Sequence, residues 1–439
     1  MKNTPIDRLT VSKIIKESGL DNLGSSSIRE LVRLVNNIES ETGEKFVRME
    51  MGVPGLEPDK IGIEAEIEAL NKGVASKYPM IEGVPELKKQ ASRFAKLFLD
   101  IEIDAEHVLP TVGSMQGGCA SFLITGRCDE HKRKTLFIDP GFPVQKQQHV
   151  VLGLPYESFD VYNYRGDKLE AKLRSYLEKA NVSSIIYSNP NNPSWICFTE
   201  KELQVIGELA NEYGVIVIED LAYFAMDFRT DMSIPGKPPY QPTVAKFTDN
   251  YVLLVSSSKA FSYAGQRLGL LYVSDKLFLR EFPYLKKHFP STVFGKALIY
   301  GAVYALSAGT SHSAQYGFAA MLKAANDGKF NFLDSVREYG ERASVMKRLF
   351  TGNGFKIVYD KDEEKPLADG FYFTFAYPGF TGEELLEELL YYGISAISLG
   401  ITGSERTEGL RACVSQTSKN QFPDLEKRLK MFHDNHPVN

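Results

Sequence analysis

The chain is poor in the features that would mark several other kinds of protein. It has four cysteines, Cys119, Cys128, Cys197 and Cys413, scattered without a CxxC or any paired spacing. That argues against a disulfide frame and fits free thiols in a reducing compartment. It has no basic block and a net charge of -5, which argues against a nucleic-acid-binding protein. No run approaches the ~18 apolar residues of a membrane span. The first residues, MKNTPIDRLT, are polar and lack the apolar centre of a signal peptide. No internal repeat is visible, and Ser25-Ser26-Ser27 is the one low-complexity hint. What is there is ordinary globular material, 43% hydrophobic and 24% charged. A chain of 439 residues can bury a large core and suggests about two or three domains, or one large unit with a satellite. The expectation is a cytoplasmic enzyme.

Most of the chemistry concentrates in Tyr251 to Gly269, YVLLVSSSKAFSYAGQRLG. The apolar run Tyr251 to Val255 reads as a buried strand. Three serines, Lys259 and then Arg267 follow. A lysine at a buried strand end, among small residues, suits an amine that must form an imine. Partial desolvation there favours its neutral, nucleophilic form. Arg267 and the hydroxyls could hold an anionic group. The alternative is a sheet strand running into a surface loop with a solvated lysine.

Elsewhere the spacing predicts a helix over 27–42, with Ser27 as N-cap and Glu30 completing a capping box. Phe46 to Gly55 reads as a short strand entering a Gly-Pro turn, where Gly52 would let backbone approach a ligand. Tyr78 falls in a loop between two helices, and Pro85 opens the second of them. Val108 to Gly118 is a strand breaking into Gly and Ser before a helix, an arrangement able to hold a phosphate on free N–H groups. Strands at 135–139, 182–188 and 215–219 end at Phe142, at Asn189 to Pro193, and at Asp220 with Tyr223. Strands and helices thus alternate from about 108 to 270, the pattern of a mostly parallel sheet covered on both faces. Ser114, Phe142, Asn192, Asp220 and Lys259 all fall at C-terminal strand ends, where open α/β sheets bind ligands. Residues 275–328 read as largely helical, and a long helix over about 332–352 leads out of this unit. Strands at 355–359, 370–375, 394–399 and 409–415, with a helix over 382–391, form an α+β satellite. Alternation in GLRACVS separates Arg411 and Cys413 from Leu410, Ala412 and Val414. Arg411 is then either an edge residue with its head in water or a fork for a carboxylate. The predicted boundaries are 1–52 for an N-terminal segment joining the small domain, 53–328 for the large domain and 329–439 for the small one.

Ser256, Ser258, Lys259, Gly265, Arg267 and Gly269 together resemble the signature of the class I/II aminotransferases, the fold-type-I pyridoxal 5'-phosphate (PLP) enzymes. The resemblance runs from about Ile28 to Ser415 through landmarks in the family's order: Gly52-Val53-Pro54, Tyr78 with Gly83, Gly113-Ser114-Met115, Phe142, the Asn189 to Pro193 loop, Asp220 with Tyr223, Lys259 with Arg267, and Arg411. It implies a mostly parallel, seven-stranded type of sheet flanked by helices, with a smaller α+β domain. It also implies PLP held by Lys259 as an internal aldimine, the freed amine then moving the proton between Cα and C4'. Asp220 would pair with the pyridine nitrogen, Tyr223 and Asn192 with the 3'-oxygen, and Phe142 would stack on the ring. Ser114, Met115, Ser256, Ser258 and Arg267 would anchor the phosphate. Tyr78 would reach the phosphate of a neighbouring subunit, implying a homodimer with shared sites. Arg411, helped by Asn192 and the Gly52 backbone, would clamp the substrate α-carboxylate. No metal is implied.

The sequence also departs from the family. Ser194-Trp195 replaces the small pair that usually follows the Asn-Pro loop, and the bulky Trp195 is expected to reshape the pocket mouth. Ser257 replaces a hydrophobic residue. The region after Arg267 is long, and no second substrate-reading arginine aligns within it, so specificity for acidic substrates finds no support there. His312 receives no role. The reading that follows is an aminotransferase working by a ping-pong mechanism on amino acids and 2-oxo acids. A carbon–sulfur β-lyase, a decarboxylase or an aminocyclopropane-carboxylate synthase would use the same lysine and aspartate. A non-catalytic regulator on this fold is a third possibility, but no basic helix-turn-helix precedes residue 27.

Overall fold

A computed structural model describes residues 3–438. Its first strand, β1 (Val47–Arg48), takes its partner from near the far end of the chain. The large sheet contains β2 (Val108–Val112), β3 (Lys134–Asp139), β4 (Tyr156–Asp160), β5 (Val182–Ser188), β6 (Ile216–Leu221), β7 (Tyr251–Ser256) and β8 (Leu268–Val273). Their spatial order is β2-β8-β7-β6-β5-β3-β4. Every pairing is parallel except the two that β8 makes, with β2 and β7.

The sequence explains this sheet directly. Strands β5, β6 and β7 are buried along their whole length, as covered parallel strands must be. Alternation then sorts β7 between two cores: Val252 and Leu254 join one, Leu253 and Val255 the other. Two strands lie outside the sequence expectations. β4 is a polar edge strand, YESFD, with only Phe159 and Asp160 buried. β8 follows β7 after a turn rather than a helix, which is why it runs antiparallel.

The smaller layer holds β9 (Lys356–Ile357), the hairpin β10 (Lys361–Asp362) and β11 (Lys365–Pro366), then β12 (Tyr372–Ala376), β13 (Ile394–Ser395), β14 (Ile397–Ser398) and β15 (Leu410–Cys413). Its antiparallel sheet has the order β14-β15-β12-β9. β1 pairs in parallel with β13, and Arg8 forks onto Glu388 through two 2.8 Å hydrogen bonds. The N-terminal segment therefore packs on this layer. The Ser27–Glu30 capping box is present at the start of the helix Ile28–Thr42. The helix expected over 332–352 begins only at Arg337. Phe332, Leu333 and Val336 are buried in the turn before it, so apolar spacing there reflects packing and not helix. No helix among the described residues is long and apolar enough to cross a membrane.

Candidate active site

A cavity of about 1140 Å³ opens at the C-terminal ends of the central strands, where the large sheet meets residues 50–54, β12 and β15. One end is built for an anion. β2 passes through Gly113, at φ 67°, into the helix Gly113–Thr125. The preceding Val112 offers no side-chain acceptor, so the N–H groups of the first turn have no side-chain cap. Ser114, Met115, Ser256, Ser258 and Arg267 line this end. Arg267 itself is left-handed, at φ 52°, and its Nη1 donates to the Ala264 carbonyl at 2.9 Å. A Cβ on Gly113 would lie 2.5 Å from Arg267 Nη2, so glycine is what admits the guanidinium to the helix start. The Ser258 N–H donates to Ser256 Oγ at 3.1 Å, fixing the serine turn. A helix dipole, free N–H groups, hydroxyls and a cation together suit a phosphate dianion.

The middle holds two ionisable groups with displaced pKa values. Burial lowers the Lys259 ammonium to about 8, and the charges of Arg411 and Arg267 push the same way. Its Nζ donates to the Gly52 carbonyl. Burial raises the Asp220 carboxyl to about 6. Asp220 accepts from Ala222 N–H at 3.1 Å and from Gln145 Nε2 at 2.9 Å. Such an acid has donors but no cation, and a protonated ring nitrogen would supply one. Tyr223 Oη donates to Tyr372 Oη at 2.7 Å, and Phe142 lines the wall at the start of the helix Pro143–Leu152.

The other end belongs to Arg411. The edge-strand alternative fails: β15 lies between β14 and β12, and Arg411 is 1% exposed. Its Nη1 donates to Asn192 Oδ1 at 3.3 Å and its Nη2 to the Glu50 carbonyl at 2.5 Å. Its guanidinium lies 4.5 Å from the centre of the Tyr372 ring. Its Nε is buried without a partner. A buried guanidinium with an unfilled donor, lining a cavity, is suited to a carboxylate.

Of the residues the sequence singled out, Gly52, Ser114, Met115, Phe142, Asn192, Asp220, Tyr223, Ser256, Ser258, Lys259, Arg267 and Arg411 all line this one cavity. Three expectations need correction. The Gly52 carbonyl faces Lys259, and the backbone group on Arg411 is that of Glu50. Gly52 matters sterically instead, because a Cβ there would lie 2.0 Å from Tyr372 Oη. Trp195 is not at the mouth. It is 1% exposed and packs edge-on behind Tyr223 and Tyr372, at 5.3 and 6.2 Å. Tyr78 is 97% exposed in its loop and does not line the cavity. His312 holds that loop, its Nδ1 lying 3.0 Å from the Lys77 carbonyl. Sequence reasoning missed Gln145, Arg29 and Met51. Gln145 sits three residues past the flagged Phe142, in the first turn of a helix, which was the one available signal.

Solved structures share this architecture. An alanine aminotransferase from Pyrococcus furiosus superposes with a TM-score of 0.75 at 20% identity, over 95% of this chain and 99% of that one. An aspartate aminotransferase from Thermotoga maritima gives 0.73 at 17%, over 96% and 99%. The fold is that of the fold-type-I PLP-dependent enzymes. In sequence, a probable aspartate aminotransferase of Methanocaldococcus jannaschii is 26% identical over 355 residues, 81% of this chain and 82% of the relative. The aspartate aminotransferase of Pyrococcus horikoshii is 25% identical over 92% of this chain and 94% of its own. The family model for aminotransferase class I and II matches residues 45–428. The chain belongs to the class I and II aminotransferase family. It is a PLP-dependent enzyme that moves an amino group from an amino acid to a 2-oxo acid, and the other PLP chemistries are not favoured.

Proposed function

We propose that the cavity residues divide the transamination as follows. When bound, PLP supplies an electron-accepting ring that stabilises charge at the substrate Cα. Lys259 carries the cofactor and, once free, moves the proton at that Cα. A lysine near pH 8 is substantially neutral at working pH and can accept a proton. Asp220 holds the positive ring nitrogen, and Gln145 holds Asp220 in place. Tyr223 and Asn192 donate toward the ring oxygen, and Phe142 covers one ring face. The helix start at Ser114 and Met115, with Ser256, Ser258 and Arg267, grips the phosphate. Arg411 and Asn192 grip the α-carboxylate that both substrates present.

The same proposal includes a cytoplasmic homodimer in which Tyr78 reaches the partner's phosphate. Exposed Tyr78, Met80, Tyr300, Tyr304 and Leu306 support it. Tyr300 hydrogen-bonds Glu82, joining the long segment after Arg267 to the Tyr78 loop. The division at 1–52, 53–328 and 329–439 is supported by the two separate sheets and the β1–β13 pairing.

The observation that carries the reading is the pairing of displaced groups in one cavity, a lowered lysine and a raised aspartate between two arginines. Lys259→Ala tests it. The purified variant should lose the visible absorption of lysine-bound cofactor and about three or more orders of magnitude in turnover, as expected for a nucleophile and base. A variant that keeps the absorption band would show that another lysine holds the cofactor.

A further inference from the structure

One cation in the cavity has no part in the roles above. Arg29 lies in the first turn of the helix Ile28–Thr42 and lines the wall with Ile28 and Met51. The partner of its Nη1 is Met51 Sδ at 3.8 Å, and among the described residues it has no ion pair. The neighbouring charges are occupied. Glu30 accepts from the Ser27 N–H at 2.8 Å in the capping box, which also fixes where the helix and Arg29 begin. Lys146 is paired with Asp139. Arg267 lies over Gly113 at the other end.

Three successive residues locate Arg29 relative to the chemistry. The Glu50 carbonyl meets Arg411, the Met51 side chain meets Arg29, and the Gly52 carbonyl meets Lys259. Successive residues rise only about 3.3 Å along an extended chain. A substrate whose Cα must reach Lys259 and whose α-carboxylate must reach Arg411 therefore spans this segment. Its side chain then has Met51 and Arg29 as neighbours.

We infer that Arg29 reads a second carboxylate, on the substrate side chain, and that the preferred amino donors are dicarboxylic amino acids. This rests on Arg411 taking the α-carboxylate. Arg29 is exposed, so the pairing gains strength only as the substrate and the apolar Met51 and Ile28 exclude water from it. A planar guanidinium can meet the distal carboxylate with two parallel hydrogen bonds, which a lysine cannot match. The sequence alone could not place this arginine, because the search for a second carboxylate reader followed the stretch after Arg267.

The test compares aspartate, glutamate and 2-aminoadipate with neutral donors of matching length on the PLP-loaded enzyme. The wild type should favour its best dicarboxylic donor in kcat/KM by about tenfold or more over the neutral match. Arg29→Gln should erase that ratio, and Arg29→Lys should retain part of it. A residue that merely supported the helix would lower both donors alike and leave the ratio standing. Calorimetry supplies a second readout without turnover: glutarate should bind the wild type more tightly than butyrate, and Arg29→Gln should remove the difference. An unchanged donor ratio or an unchanged glutarate preference in Arg29→Gln overturns the inference. If instead Arg411→Ala binds butyrate as tightly as the wild type, the α-carboxylate assignment beneath it is what fails, and the inference falls with it.

Discussion

The two ends of the cavity present arginines in opposite ways. Arg267 is exposed, left-handed and tied to a carbonyl three residues away, beside an uncapped helix start. Arg411 is fully buried, holds Asn192 and the Glu50 carbonyl, and keeps Nε unsatisfied. The first end is assembled from one strand turn and one helix and stays hydrated. The second is assembled from segments brought together only by the complete fold, and its guanidinium has lost water without full replacement. An anion at the first end replaces water contacts with protein contacts. An anion at the second end completes an unsatisfied buried group, and that difference should appear in the energetics.

The largest effect tests this contrast directly. Arg411→Ala should weaken a bound monocarboxylate by about 2–5 kcal/mol while cofactor affinity changes little. Arg267→Ala should weaken the cofactor by about 1 kcal/mol, because its partners at the helix start remain and its own charge is solvated. Titrating each variant with PLP and with butyrate gives both numbers. Equal losses in the two variants would show that burial does not separate the ends.

A smaller effect concerns the acid between them. In the cofactor-free protein, burial raises Asp220 to about 6 from a model value of 3.8. Between these values the folded state holds a proton that the unfolded state has released, so stability falls as pH rises from about 4 to about 6. Above that window the cost is constant. Asp220→Asn should therefore stabilise the cofactor-free protein at neutral pH by roughly 1–3 kcal/mol, and abolish most turnover. Neighbouring Glu219 is raised to about 7 by the same cause and titrates over an overlapping window. Glu219→Gln separates the two contributions. Urea unfolding against pH checks the prediction, and parallel curves for wild type and Asp220→Asn would refute it.

How much of this was legible follows the same division. The phosphate end could be read because its parts are local: a strand, Gly113-Ser114-Met115, and a serine–lysine run after an apolar strand. The strands β5, β6 and β7 were legible for the same reason, as covered strands are continuously apolar. Arg411 could be found but not weighed, because alternation in a four-residue strand does not say whether its neighbours bury it. Trp195 was misplaced for want of Gly370, whose Cβ would lie 2.0 Å from the indole and whose absence opens the buried slot. Gln145 and Arg29 carried no periodic or motif signal. They act through contacts made only after the sheets close on residues 50–52.

The smallest prediction concerns the contact that joins the two ends. Tyr372 comes from β12 in the small layer, lies beneath the Arg411 guanidinium and accepts the Tyr223 hydroxyl. Tyr223 follows Asp220 at the end of β6, beside the position assigned to the ring. Carboxylate binding on Arg411 can therefore be felt at Tyr223 through one aromatic residue. Tyr372→Phe removes one hydroxyl and leaves the ring under Arg411. It should cost about 1 kcal/mol in carboxylate binding and shift the pH dependence of the bound cofactor's absorption, since Tyr223 loses its acceptor. Tyr223→Phe should produce the complementary spectral shift with a smaller change in carboxylate affinity. In the double variant the losses should fall short of additive by roughly 0.5–1.5 kcal/mol, the size expected for side chains in direct contact. Strict additivity would mean that the two ends bind their anions independently, and that the hydrogen bond between the tyrosines serves packing alone.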